Sequence, residues 1–293
     1  MRILLTGGSG FIGQHLARQL RKRHEVLAPT HGELELMDAT AVRAYLAANP
    51  VDVVVHNAAK PSHRNAPDPS GILDSALRML LGLLREHGRY ERLVLIGSGA
   101  AYDPSRPLVR VAEEALDQVV PQDSYSFAKY AAACLAEPLD FVVELRPFGI
   151  YGPGEDYAIR FISNAICKAL FDLPITLHRD RRMSYLWVED LGFVVERVIE
   201  EGCSGEASYN VVPSEVVTLR WLADLVLRVS GKHAPVIIAE QAEAPEYTGS
   251  NERLLGELPG IRFTDIEDGV ARLHAYYAAN KASIDPSLLL SDK

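Results

Sequence analysis

Residues 6–13 read "TGGSGFIG". They lie between an apolar segment, "RILLT", and an amphipathic one, "FIGQHLARQLRKR", whose Ile12, Leu16 and Leu20 recur at helical spacing. A strand that passes into a helix through Gly7, Gly10 and Gly13 leaves a chain few folds to choose from. Glycines allow the turn to be tight and let the backbone approach a ligand. The helix N-terminus, opened here by Phe11 and Ile12, supplies unpaired N–H groups and the positive end of its dipole. In this strand–loop–helix frame the spacing points to the pyrophosphate of a dinucleotide; without the frame it would be an ordinary glycine turn.

The same alternation continues downstream. "HEVLAPT", "VDVVVHNAA", "ERLVLIGSG" and "DFVVELRPFGIYG" read as strands. "DATAVRAYLAA", "GILDSALRMLLGLLREHG" and "SYSFAKYAAACLAE" read as helices, the first with Asp38 as its N-cap, the second closed by Gly88 and the third halted by Pro138. Strands separated by helices predict an α/β fold: a Rossmann-type, doubly wound parallel sheet with helices on both faces. Beyond about residue 152 the pattern loosens, which predicts a smaller C-terminal α/β lobe that binds substrate. The expected division is 1–152 for the dinucleotide half, completed by 183–212, with 153–182 and 213–293 forming the substrate lobe. The tail "SIDPSLLLSDK" reads as a frayed end.

Composition excludes several classes of function. A net charge of −9 argues against a nucleic-acid surface, and no apolar run is long enough to span a bilayer. Cys134, Cys167 and Cys203 have neither disulfide nor metal-ligand spacing, and no metal is expected. With no secretory segment at "MRILLTGGSG", the expected compartment is the cytoplasm.

A dinucleotide site commonly ends its second strand on an acid that binds the ribose 2′-hydroxyl. Here that region reads "APTHGE", with Pro29, Thr30, His31 and Gly32 where the acid is sought. NAD and NADP both stay open. The missing carboxylate removes one repulsion against a 2′-phosphate and so favours NADP, which a protonated His31 would assist if it is more than an exposed loop residue.

"DSYSFAKY" puts Tyr125 and Lys129 one helical turn apart, on one face, and "LIGSGAAYD" puts Ser98 at the C-terminal edge of the fourth strand. A phenol has an ordinary pKa of about 10, and a neighbouring ammonium favours its ionised form. Tyr125 is thereby a candidate to exchange a proton with a substrate oxygen that Ser98 orients. With these residues in place the chain resembles the extended short-chain dehydrogenase/reductase family of nucleotide-sugar epimerases and reductases. The resemblance runs through "TGGSGFIG", "HNAAK", "LIGSGAAY", "YSFAK", "LRPFGIYGPG", "MSYLWVEDL" and "LPGIRFTDIEDGVARLHAYY". It implies that Tyr125 is the acid/base, Lys129 its activator and a ribose ligand, and Ser98 the hydroxyl partner. It implies further that Ala58, Ala59, Lys60 and the segment from Pro147 to Ile150 line the cofactor, that Leu36 packs on adenine, and that two copies pair through the helix of residues 72–88 and the helix carrying Lys129 as a homodimer.

Within the family, sugar dehydratases carry an acidic pair after the serine, and decarboxylases a glutamate; Gly99 and Ala100 stand there instead. The pattern is most similar to GDP-fucose synthase and the deoxysugar 4-ketoreductases. The synthase's additional Cys and His, which epimerise C3 and C5, correspond to Ala100 and Arg160 here. The resemblance therefore implies simple reduction of a 4-keto sugar nucleotide by NAD(P)H. A C4-epimerase, using the same three residues, and a non-catalytic dinucleotide sensor are the alternatives. For the substrate, the resemblance implies contacts from Ser98, Tyr102, Gly149 (often Asn in the family), Arg160, Arg182 and Arg253. The family arginine two residues before Tyr185 is Met183, so Arg182 would reach in by a local shift, while Arg179 and Arg181 read equally well as a solvated basic turn. Tyr185 and Trp187 read as core or pocket wall, and Cys167 as packing.

Overall fold

The computed structural model describes residues 1–61, 70–202 and 205–290, so Cys203 and the last three residues lie outside the described chain. Strand and helix alternate through β1 (Arg2–Thr6), α1 (Phe11–Leu20), β2 (Glu25–Leu27), α2 (Ala39–Ala48), β3 (Val53–His56), α3 (Ile72–Leu84) and β4 (Arg92–Ile96). Next come β5 (Leu108–Val111), α4 (Ser124–Ala136), β6 (Val142–Pro147), β7 (Gly149–Tyr151), α5 (Phe161–Leu170), β8 (Ile175–Leu177), β9 (Arg182–Met183), β10 (Tyr185–Trp187) and α6 (Val188–Glu201). The chain closes with β11 (Ser208–Val211), β12 (Val217–Thr218), α7 (Leu219–Ser230), β13 (Val236–Ile238), β14 (Tyr247–Gly249), α8 (Glu252–Glu257) and α9 (Ile266–Ala279).

Six strands form one parallel sheet in the order β11-β6-β4-β3-β1-β2. Successive strand residues face opposite sides, and the buried side chains follow that period. Ile3 and Leu5 join Leu16, Leu20, Val194 and Val198 of α1 and α6 in one core layer. Leu4 joins Val42, Leu46, Leu80, Leu83 and Ala132 of α2, α3 and α4 in the other. The strand order switches side between β1 and β3, and sheets of this kind bind ligands at the C-terminal edge of such a crevice.

A second core gathers Ile162 and Ile166 of α5, Leu222 and Val226 of α7, and Val270 and Leu273 of α9. The tail is part of it: Ile284 is 6% exposed and Leu289 only 1%, so the expectation of a frayed end fails for this stretch. Apolar burial outweighs the composition of a segment that reads as polar. The single strand expected over 140–152 is likewise two. β6 stays in the central sheet, while β7 pairs with β10, and the break falls at Phe148. The Phe148 ring packs against two glycine backbones; a Cβ at Gly99 or Gly249 would come within 2.6 Å and 2.8 Å of it. Tyr102 stacks on one side of this ring and Tyr247 lies 4.8 Å away, joining sheet and lobe.

The glycine turn is held by sterics. Gly7 has a φ of +69°, and a Cβ there would sit 2.7 Å from the Ala58 backbone. At Gly13 a Cβ would fall 2.0 Å from the Gly7 carbonyl oxygen. Gly13→Ala therefore has to separate α1 from the turn, and it should cost about 1–3 kcal/mol, the usual range for overpacking. A thermal melt should show this as a loss of several degrees; an unchanged midpoint would contradict the close approach.

Candidate active site

Three walls meet at the C-terminal edge of the sheet. The first belongs to the glycine turn. Gly10 caps α1 without any side-chain cap, so the first N–H groups of the helix are offered to an anion. Beside it opens a cavity of about 440 Å³ lined by Gly7, Ser9, His31, Leu36, Met37, Ala58, Ala59, Lys60 and Met79. The turn is tied to β3 by Thr6, whose hydroxyl pairs with His56 Nδ1 at 2.8 Å and accepts from the Asn57 and Ala58 backbone N–H groups. Burial, with the nearby Lys129 charge, lowers the His56 pKa to about 3, so this imidazole stays neutral under the ammonium.

The second wall is α4. Asp123 caps it, accepting from the backbone N–H groups of Tyr125 and Ser126 at 3.1 Å and 2.9 Å. The cap fixes the first turn, and the helical repeat then puts Tyr125 and Lys129 on the face toward the sheet. Both line a slot with His56, Ala58, Ala59, Lys60 and Ile96. Lys129 Nζ donates to the Ile96 carbonyl at 3.2 Å, which leaves its other donors for a ligand.

The third wall belongs to the second lobe. A cavity of about 350 Å³ is lined by Ser98, Ala100, Tyr125, Gly149, Ile150, Glu155, Arg160, Arg181, Tyr185 and Tyr247. Tyr125 lines this cavity and the slot alike. Ser98 is 8% exposed, and its Oγ accepts from the Ala100 N–H at 3.1 Å.

Several residues expected at the site are thus brought together: Gly7, His31, Leu36, Ala58, Ala59 and Lys60 on the dinucleotide side, Tyr125 and Lys129 between, and Ser98, Gly149, Ile150 and Arg160 on the far side. Phe11, Ile12 and Gly13 form the first turn of α1, and Pro147 lies in β6 opposite Val211. Thr30 is occupied locally, its N–H and hydroxyl both donating to Glu33.

Three expected substrate contacts point elsewhere. The Tyr102 hydroxyl donates to Asn210 and accepts from Arg146, and burial raises its pKa to about 12. Arg182 pairs with Glu246 at 3.5 Å on the exposed side of β9. Arg253 is drawn to Glu113, Glu114 and Glu206. Of the basic turn, the arginine that does enter is Arg181, which joins Arg160 in the cavity. It is half-buried, donates to the Pro104 and Pro245 carbonyls, and stacks over the Tyr247 ring at 5.2 Å. Tyr247 and Glu35, which also lines the dinucleotide cavity, have no local sequence signal; a strand of three residues and a loop place them. Among the described residues, one cluster of metal-ligating types, His24, Glu196 and Glu200, lies away at the ends of α1 and α6, where Arg23 already pairs with Glu200 at 2.9 Å.

The geometry separates two glycines that look alike in sequence. A Cβ at Gly10 meets only the Gly7 carbonyl, at 3.5 Å, so a side chain there leaves the fold alone and projects into the anion's place. Gly10→Val should keep the melting temperature within a few degrees yet abolish dinucleotide binding, as read by NADPH fluorescence. Undiminished affinity in the folded variant would remove the turn from the cofactor site.

The model of the NAD dependent epimerase/dehydratase family matches residues 3–211. A dTDP-4-dehydro-6-deoxy-D-allose reductase of a Streptomyces species is 32% identical over 270 residues, covering 78% of this chain and 81% of the relative. A GDP-6-deoxy-D-mannose reductase of Pseudomonas aeruginosa is 26% identical over 279 residues, covering 86% and 89%. The fold is shared with a GDP-L-fucose synthetase from Naegleria fowleri solved with NADP, at a TM-score of 0.80 and 16% identity over 96% of this chain and 95% of that one. The chain belongs to the NAD dependent epimerase/dehydratase family.

Proposed function

We propose that this family member reduces a 4-keto sugar nucleotide, with NADPH as the favoured donor. The observation that carries the reading is the position of Tyr125, whose phenol lines both the slot that leads from the dinucleotide cavity and the cavity of the second lobe. When bound, the dinucleotide supplies a hydride. The chain's own residues do the rest. Ser98 donates a hydrogen bond to the substrate carbonyl oxygen, and Tyr125 delivers a proton to the same oxygen as the carbon is reduced to an alcohol carbon. Lys129 favours the ionised phenol that remains and holds a ribose hydroxyl.

The relatives named as reductases support the carbonyl substrate. Arg160 and Arg181 in the second cavity suit the diphosphate of a nucleotide sugar. For the dinucleotide, the cavity wall carries Lys60 and His31 against one carboxylate, Glu35, which already pairs with His31 at 3.1 Å. That balance supports a 2′-phosphate and hence NADPH. The dimer expected from α3 and α4 is part of the same proposal, and Leu81 and Leu135 are 42% and 37% exposed on those helices. Sedimentation showing only the 32.2 kDa species at micromolar concentration would remove it.

Tyr125→Phe should cut turnover by about 10²–10⁴, the usual worth of a general acid, while leaving NADPH affinity nearly unchanged. Lys129→Met should damage both. Normal turnover by Tyr125→Phe would refute the assignment.

Reduction alone leaves C3 and C5 untouched, because Ala100 has no proton to exchange and the guanidinium group of Arg160 is a poor proton shuttle. GDP- and dTDP-linked 4-keto-6-deoxyhexoses should be incubated with the enzyme and NADPH in deuterium oxide. One NADPH should be consumed per product, faster than NADH, with no enzymatic deuterium at C3 or C5 by NMR. Deuterium there would reveal a further acid–base pair. A C4-inverted product formed with only catalytic dinucleotide would make the protein an epimerase.

A further inference from the structure

The C-terminal ends of α1 and α6 carry a cluster that the reductase reading does not use. Leu16 and Leu20 of α1 pack in one core layer with Val194 and Val198 of α6, and a Cβ at Gly192 would come within 3.1 Å of the Gln19 side chain, so the two helices lie close. Just past α1 the backbone keeps its helical hydrogen bonding, and the His24 N–H donates to the Leu20 carbonyl at 2.9 Å. His24 thereby comes beside α6, where Glu196 and Glu200 stand one turn apart on one face. One nitrogen of His24 and one oxygen of each carboxylate all lie within 4.8 Å of one another.

Each member of the cluster keeps an atom in reserve. The His24 side chain is 5% exposed, and neither ring nitrogen makes a hydrogen bond; Nε2 lies 3.4 Å from Glu200 Oε1 without hydrogen-bond geometry. Glu196 is 8% exposed; its Oε2 accepts from the Gln19 amide at 2.9 Å, while its buried Oε1 has no partner. At Glu200, Arg23 pairs with Oε2 at 2.9 Å and leaves Oε1 on the His24 side. In both carboxylates one oxygen is held by a neighbour and the other is left over. A buried imidazole and a buried carboxylate oxygen without partners are costly, and two carboxylates at this spacing repel each other. A cation between them removes both penalties. Gln19 and Arg23 then act as the outer partners that orient a metal's carboxylate ligands.

We propose that His24, Glu196 and Glu200 bind a late first-row divalent cation such as zinc, through one imidazole nitrogen and the two Oε1 atoms. Zinc bonds such atoms at about 2.0–2.2 Å, a closure that side-chain rotation supplies. The imidazole selects against magnesium and calcium, which take oxygen ligands. Three protein ligands leave a fourth position for water, and Glu200, with its side chain 23% exposed, marks the way in. The cation clasps α1 to α6 and stabilises the fold. This site stands apart from the reductase reading and does not depend on it.

The test uses the untagged full chain, stripped with EDTA, dialysed free of the chelator and titrated with zinc or cobalt(II). One cation should bind per chain, and cobalt should show the visible absorption of a four-coordinate centre. In urea, free zinc at a hundred times its Kd should raise the ratio of folded to unfolded protein about a hundredfold, while magnesium at the same concentration leaves the midpoint unchanged. His24→Ala and Glu196→Gln should each abolish the gain. Glu200→Gln, on the open side of the cluster, should keep its cooperative metal-free transition and bind zinc at least about tenfold more weakly. The proposal is overturned if zinc does not stabilise the wild type, if magnesium does so equally, or if the zinc gain survives intact in Glu200→Gln. Stability that rises on acidification but not with zinc would also overturn it, and would make the cluster an imidazolium held between two carboxylates.

Discussion

The site depends on a charge buried in the core. Arg146, in β6, is 1% exposed, and so is its partner Glu144, with 2.7 Å between them. Burial disfavours the guanidinium charge, but Glu144 and the Tyr102 hydroxyl more than offset that, and its pKa lies above the ordinary value. A charge in this position is tolerated only if it is paired and hydrogen-bonded. The bonds run on from Arg146 to Tyr102, from Tyr102 to Asn210 in β11, and from Asn210 to Glu113 and the Val111 carbonyl. This chain of contacts spans the edge of the sheet and holds the Tyr102 end of the turn that begins at Ser98. The far end of the serine's turn is therefore fixed by the core beneath it. That is also why Tyr102 is unavailable to a substrate.

On this support the two halves of the site obey different constraints. The dinucleotide side is built from backbone: the turn at Gly7, the uncapped N-terminus of α1, and Thr6 pinning β1 to β3. Backbone geometry of this kind tolerates few substitutions. The substrate side is built from side chains on short strands and loops. Arg160, Arg181, Tyr185 and Tyr247 all belong to segments outside the six-stranded sheet. Tyr125 and Ser98 sit on the line between the two.

How far the sequence revealed all this follows the same division. Strand–helix alternation and the glycine spacing are local patterns, and local sterics enforce them, so the parallel sheet and the dinucleotide cavity were legible. Tyr125 and Lys129 were legible because a capped helix fixes their spacing. Arg181 and Arg182 could not be told apart, because a register of one residue in the two-residue β9 decides which of them enters the cavity. Arg253 looked like a phosphate ligand only because Glu113, Glu114 and Glu206 are far from it in sequence. The partners of the Tyr102 hydroxyl were hidden for the same reason, since Arg146 and Asn210 meet it only in the folded core. The break at Phe148 was hidden in a segment that reads as one continuous strand, and its cause, two distant glycines closing on one ring, is tertiary.

That break has a consequence for how such a protein changes substrate. Because the chain leaves the central sheet at Phe148 and pairs β7 with β10, the Phe148 ring and the two glycines against it are one of the anchors between the substrate side and the sheet. Residues beyond that anchor, in β9, α5 and β14, can vary without touching Thr6, Gly7, Lys129 or the Arg146 network. Packing there is set by aromatic contacts such as Tyr151 with Trp187 and Tyr185, which depend on volume more than on a particular hydrogen bond. A change of sugar or base can thus be met by side chains on one wall alone. A change of reaction is harder, because a second acid or base must enter the cavity at the Ala100 turn, which is packed against Phe148 and tied to the buried charge.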